Sequence, residues 1–224
     1  VEHDVTFDLY EQLHRAAGTT SSAFDLWRWK RFETAAVRRF RRVVVMSDKD
    51  AGLLGAANVR VVPNGVDLKR FQPKPETPGH QLLFVGSFRH FPNVRAYRLL
   101  VEQIWPLLRT PGARLIVVAG PRPELYWPHP SPDPRVRLLG FVEDVKPLYD
   151  EAAVVVIPTV VSAGTNLKAL EAMAMRRPIV STPSGVAGLG LGLGASVVIA
   201  ETPEEFAAAV DRLFADPGLA EALA

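Results

Sequence analysis

The segment Val154–Ser181, VVVIPTVVSAGTNLKALEAMAMRRPIVS, decides the fold. Val154–Pro158 is a continuous apolar run without polar alternation, the pattern of a strand covered on both faces. Leu167–Met175 then places Lys168 and Glu171 in an otherwise apolar helix, and Pro178–Ser181 opens a second Ile/Val strand. Working outward, the same alternation predicts strands at Gln81–Val85, Arg114–Ala119, Val136–Leu139 and Ser196–Ala200. Helices are expected at Val94–Leu108, Val145–Ala152 and Pro203–Phe214. Short Val/Ile strands interleaved with helices imply an α/β fold with a doubly wound parallel sheet, which binds ligands beyond the carboxyl ends of its strands.

Upstream, Pro63-Asn64-Gly65-Val66-Asp67 forms a turn cluster, and Pro73, Pro75, Pro78 and Gly79 follow in a stretch that neither helix nor sheet can use. We therefore divide the chain into residues 1–63, a linker at 64–79 and a main domain at 80–224. Within the first part, Trp29, Phe32, Ala36 and Phe40 recur at three- and four-residue steps and predict an apolar helix face. Arg28, Arg31, Arg38, Arg39 and Arg42 fall largely on the opposite face. Strands are expected at Val43–Met46 and Val59–Val62, with Ser47-Asp48 capping a helix that starts near Lys49. The chain opens without methionine, on what reads as the end of a strand. It closes on Leu219–Ala224 as a helix without a stop signal, so a piece of a longer protein, its last helix truncated, is expected.

With 48 % hydrophobic residues in 224, the chain can bury a full core. It has no cysteine, which excludes disulfides and thiolate metal sites and makes a cytoplasmic setting the default expectation. No apolar run reaches the roughly 20 residues that span a bilayer, and Val1-Glu2-His3-Asp4 does not resemble a signal peptide. The pI of about 9.0 is a local effect. Seven of the 26 basic residues and one of the 24 acidic ones lie between Arg28 and Arg42, leaving 19 basic against 23 acidic residues elsewhere. A general nucleic-acid surface is thereby excluded, and the basic helix fits either a solvated face or peripheral docking on anionic lipid of the inner membrane.

Four loops after the predicted strands have unusual composition, and three of them suit a ligand. Gly86-Ser87 suits close approach of backbone amides to an anion, or is a plain tight turn. Gly140-Phe141-Val142 offers an aromatic or main-chain edge to a base, or buries a core phenylalanine. Gly164-Thr165-Asn166 leads into the helix from Leu167, whose unpaired N–H groups and dipole suit a diphosphate. Lys168 in its first turn works against that dipole unless an anion is present. Glu171 can accept from both hydroxyls of a ribose; the plain alternative is a surface Lys168–Glu171 pair. Gly190, Gly192 and Ala195 match a dinucleotide fingerprint, but we reject it because Ser196–Ile199 reads as a strand where a helix is required.

These residues taken together resemble the group 1, family 4-like retaining glycosyltransferases of the GT-B fold, mainly their C-terminal donor-binding domain. The resemblance runs from about Phe32 to the end. Its marks are Val62-Pro63-Asn64-Gly65-Val66-Asp67 with Phe71, Leu83-Phe84-Val85-Gly86, Leu139-Gly140-Phe141-Val142 with Ala152, and Gly164–Ala174 leading into Arg177–Thr182. It implies a Rossmann-like domain at 80–224 that binds a nucleotide-sugar, preceded by the last part of an acceptor-side domain. Glu171 is similar to the second acid of the family's Glu-x7-Glu motif, which grips the ribose. The first acid would stand at Ala163, and Ser87 and Pro92 stand where an Arg and a Lys are often found. The chain thus resembles the subgroup with a Gly-Thr-rich turn, with Arg89 or Lys168 supplying the phosphate charge; His3 resembles the histidine that faces the donor sugar, or is a loop histidine without a role.

The implied reaction is bacterial-type transfer of a sugar from a nucleotide diphosphate donor to a carbohydrate or lipid-linked acceptor, with retention, as in cell-surface polysaccharide synthesis. The resemblance implies no cofactor, with basic side chains and helix-end amides rather than a metal stabilising the leaving diphosphate. The five histidines are scattered and no Asp-x-Asp occurs. The implied donor contacts are Gly86, Ser87, Phe141, Val142, Gly164, Thr165, Asn166, Leu167 and Glu171, with His3, Lys168 and Arg89 acting on the sugar and phosphates. Two alternatives stand beside this reading: a nucleotide-sugar 2-epimerase of the same fold, and a non-catalytic nucleotide-binding module.

Overall fold

The computed structural model describes residues 4–74, 79–129, 131–162, 164–190 and 196–224. It comprises two compact units. One is Val1–Gly65 with Val161–Asn166 and Val186–Gly190; the other is Val66–Val160, Leu167–Gly185 and Leu191–Ala224.

The first unit begins with α1 (Thr6–Ala17) and α2 (Thr20–Val37). Gly18, at φ 62°, ends α1 in the left-handed conformation, and Thr19 starts α2 by accepting from the Ser22 amide at 3.2 Å. Strand β1 (Val43–Val45), α3 (Asp48–Leu54) and β2 (Val59–Val61) follow, with β1 and β2 parallel. Ser47 caps α3 as expected, accepting from the Asp50 amide at 3.1 Å. Helix α1 is absent from the sequence expectation, and α2 corrects it. The buried residues of α2 are Glu33 and Val37, whereas Phe32 and Phe40 are 64 % and 62 % exposed. The cause is polar: Glu33 accepts from the Thr6 and Phe7 amides at 2.8 and 2.9 Å. These are orphan donors of α1 that its N-cap Val5 has no side chain to satisfy. Turning Glu33 inward turns Phe32 out, while Trp29 stays partly buried against the core of this unit. On the exposed side the Arg28 and Arg31 guanidinium groups lie over Phe24 and Trp27 at 5.8 and 5.9 Å.

The second unit contains β3 (Gln81–Val85), α4 (Phe91–Leu99), β4 (Arg114–Val118), β5 (Val136–Leu139), α5 (Lys146–Glu151) and β6 (Val154–Ile157). It continues with α6 (Leu167–Ala174), β7 (Ile179–Ser181), β8 (Val197–Ile199), α7 (Pro203–Ala215) and α8 (Pro217–Leu223). The six strands are parallel in the order β5-β4-β3-β6-β7-β8. Leu82, Phe84, Leu115, Val117, Val154 and Val156 enter a core with Tyr97, Leu100, Ile104, Phe206 and Val210. Leu83, Ile116 and Val155 alternate with them on the other face and are equally buried, which is why these strands read as unbroken apolar runs. The doubly wound parallel α/β sheet expected from the sequence is therefore the fold. The helix expected at Val94–Leu108 instead starts three residues earlier, because Pro92 fits the first turn, and passes through a π turn at Leu100–Ile104 into a 3-10 turn at Trp105–Leu107. Helix α7 is set by a capping box in which Thr202 Oγ1 accepts from the Glu205 amide at 3.2 Å and Glu205 Oε2 accepts from the Thr202 amide at 3.3 Å. Among the described residues no helix is long and apolar enough to cross a membrane.

Candidate functional site

The strand order reverses between β3 and β6, so the crevice beyond their carboxyl ends is the topological switch point of the second unit. The elements that follow these two strands meet there. The turn after β3 carries Gly86, and a Cβ on Gly86 would lie 2.7 Å from Asn93 Cγ; only glycine leaves room for that amide. Asn93 donates through Nδ2 to the Ser87 carbonyl at 2.9 Å, and its Oδ1 accepts from Lys168 Nζ, on α6, at 2.9 Å. The Gly86 amide itself donates to the Val118 carbonyl at 2.9 Å. That corrects the expectation of a free amide at Gly86: this glycine serves the site through Asn93.

Glu171 lies one turn beyond Lys168 on α6 and has a different partner. Its Oε2 accepts from the Tyr149 hydroxyl at 2.9 Å. The expected surface alternative, a Lys168–Glu171 ion pair, is replaced by two separate contacts, each with a neutral side chain. Burial pulls the Lys168 ammonium down to about 8, against the charge of Glu171. Burial likewise raises the Glu171 carboxyl, against the Tyr149 hydrogen bond and the charges of Arg70 and Lys168. The Lys168 ammonium also sits 5.5 Å from the centre of the Phe84 ring. A cation in the first turn of a helix opposes the dipole, so this arrangement leaves Lys168 short of compensating negative charge.

Behind Glu171 stands a layer that the sequence reading missed apart from Phe71. Tyr149 is fully buried on α5, and Phe71 packs edge-on against it at 6.3 Å and 82°. Phe71 is delivered by a turn at Asp67, whose Oδ1 accepts from the Lys69 amide at 2.8 Å and whose carbonyl accepts from the Phe71 amide at 2.9 Å. The Arg70 guanidinium covers the outer side of Phe71 at 5.2 Å and donates to Asp144 at 3.1 Å. Asn93, Tyr149 and Arg70 carry weak local signals: an asparagine one residue after Phe91-Pro92, a tyrosine in a six-residue helix, an arginine among linker residues.

The other expected site residues divide by location. Phe141, after β5, is 73 % exposed, so the packed-core alternative for it is overturned; Val142 is half-buried. Arg89 is exposed beyond Ser87, and Leu167 opens α6 at the surface. The turn Gly164-Thr165-Asn166 belongs to the first unit. There Gly164 adopts φ 67°, Asn64 Nδ2 donates to Thr165 Oγ1, and the Gln12 side-chain amide pairs with the Ser162 backbone at 2.9 and 3.2 Å. His3 and Ala163 lie outside the described residues, as do Gly192 and Ala195 of the rejected fingerprint; β8 does occupy the position where that fingerprint needs a helix.

Comparison with known proteins places this geometry in context. Residues 79–216 match the family described as Glycosyl transferases group 1. The chain is 32 % identical to a D-inositol 3-phosphate glycosyltransferase of Kineococcus radiotolerans, over 83 % of this chain and 52 % of that protein. It thus spans about half the length of the curated relatives it matches. Its fold is similar to that of Anabaena HepE in complex with UDP, with a TM-score of 0.71 at 16 % identity over 88 % of this chain and 60 % of the other. It is equally similar to sucrose-phosphate synthase of Thermosynechococcus elongatus, with a TM-score of 0.72 at 23 % identity over 88 % and 54 %.

Proposed function

The chain belongs to the group 1 glycosyl transferases, and from that premise we propose that its second unit holds the nucleotide of a nucleotide diphosphate-sugar. The whole enzyme transfers the sugar to a carbohydrate or lipid-linked acceptor with retention of configuration. The observation that carries this reading is the pair on α6. Lys168 and Glu171 are offered side by side at the switch point, each oriented by a neutral partner instead of by the other. An ammonium short of negative charge suits the diphosphate. A half-buried carboxylate one turn away suits the two ribose hydroxyls. Phe141 and Val142, beyond β5, supply an exposed edge for the base.

In the reaction, the bond from the anomeric carbon to the diphosphate oxygen breaks as a bond from that carbon to an acceptor hydroxyl oxygen forms; negative charge grows on the leaving diphosphate, which takes up the hydroxyl proton. Lys168 and the first amides of α6 stabilise that charge without reorganising, which lowers the barrier more than it strengthens ground-state binding. By itself this chain is expected to bind a nucleoside diphosphate and to transfer nothing. That UDP is bound by Anabaena HepE makes UDP the first candidate.

The test is a thermal-shift panel of UDP-, GDP- and ADP-sugars on this chain and on Glu171→Ala. One nucleotide should raise the melting temperature, and the variant should lose that rise. An unchanged shift in Glu171→Ala, or no shift with any donor, would sink the proposal.

A further inference from the structure

We infer that Tyr149 is a positioning residue for the donor, holding the Glu171 carboxylate in the orientation that receives the ribose, with Phe71 of the crossover segment holding Tyr149 in turn. The inference rests on the reading of Glu171 as the ribose ligand. A buried tyrosine hydroxyl needs a partner, and this one has two acceptors in reach, Glu171 Oε2 at 2.9 Å and the Lys168 carbonyl at 3.3 Å. With a single proton to give, it donates to the nearer and charged acceptor. The carbonyl alone would have satisfied a tyrosine that merely packs. The short contact to the carboxylate has a different consequence: it restrains a glutamate whose torsions would otherwise be free, so that ordering need not occur on binding. Oε1 keeps both lone pairs for one hydroxyl, and Oε2 keeps one for the other.

The Tyr149 ring cannot drift, because it is fully buried and Phe71 meets it edge-on. Asp67 fixes the turn that carries Phe71, and Arg70 covers the outer side of that ring. A continuous chain of contacts therefore runs from the linker segment Asp67–Phe71 to the carboxylate on α6, entirely inside the second unit. This assigns a task to Phe71, the outlying residue of the Val62–Asp67 motif: it is the back wall of the ribose site.

The experiment is calorimetric titration of this chain with UDP, GDP and ADP, continued with the tightest of them and its 2′,3′-dideoxy counterpart. Tyr149→Phe keeps the ring and removes only the hydroxyl. It should weaken the ribonucleotide about tenfold, the scale of one hydrogen bond to a charged group, and leave the dideoxynucleotide unchanged. In the Glu171→Ala background the same substitution should do nothing. Equal losses for both nucleotides, or none for either, would overturn the inference. If Tyr149→Phe does not fold, Phe71→Leu loosens the ring and keeps the hydroxyl; a loss specific to the ribonucleotide supports the assignment, and a uniform or absent loss defeats it. The two readings fail differently. Should Glu171→Ala retain the wild-type preference for ribose, the role of Glu171 falls and this inference with it. Should that preference vanish in Glu171→Ala but survive in Tyr149→Phe, only the role of Tyr149 falls.

Discussion

Lys168 is half ionised near pH 8 in the free protein, because burial opposes its charge more than Glu171 supports it. A diphosphate beside the ammonium favours the charged form and raises that value again. Binding at pH 8 should therefore take up protons, and affinity should fall as the pH rises through about 8. Titration calorimetry in two buffers of different ionisation enthalpy would show the uptake, and Lys168→Met should abolish it while weakening binding about tenfold. Identical apparent enthalpies in the two buffers would remove Lys168 from contact with the phosphates. At this scale the sequence was informative about which residues bear charge and silent about who holds them. Lys168 and Glu171 stand out as polar residues in an apolar helix. Asn93 and Tyr149 lie 75 and 22 positions from the side chains they orient, and local pattern contains no trace of such pairing.

At the scale of elements, strands were easier to read than helix faces. An unbroken run such as Val154–Ile157 has one physical explanation, cover on both faces. An aromatic stripe has two, and on α2 they divide: Trp29 packs partly against the core, whereas Phe32 faces outward because Glu33 is needed inside to cap α1. The consequence is measurable. Glu33→Ala leaves two amides of α1 without an acceptor and should cost about 2 kcal/mol or more of unfolding free energy. Phe32→Ser on the neighbouring exposed position should change stability by less than about 0.5 kcal/mol. Denaturant titration of the two variants decides. If Phe32→Ser proved the more damaging, the inward orientation of Glu33 would be wrong.

The whole molecule adds what neither residues nor elements contain, the order of strands. Alternating β and α segments announced a doubly wound sheet. The pairing of β3 with β6, across 68 intervening residues between Val85 and Val154, follows from tertiary packing, and it creates the switch point. If the ligand binds there, its effect should follow the sheet's topology and not distance along the chain. Hydrogen exchange of this chain with and without the nucleotide that binds should show new protection in Gly86–Asn93, Lys146–Glu151 and Leu167–Met175, three segments far apart in sequence that the contacts of Asn93, Lys168, Tyr149 and Glu171 join. Strand β8, at the far edge of the sheet, and α8 should exchange as before. The distinction is physical: a bound ligand protects the amides it contacts or orders, whereas general tightening of a doubly wound unit would slow exchange in every strand alike. Protection spread evenly to β8, or concentrated there, would move the binding site away from the reversal between β3 and β6.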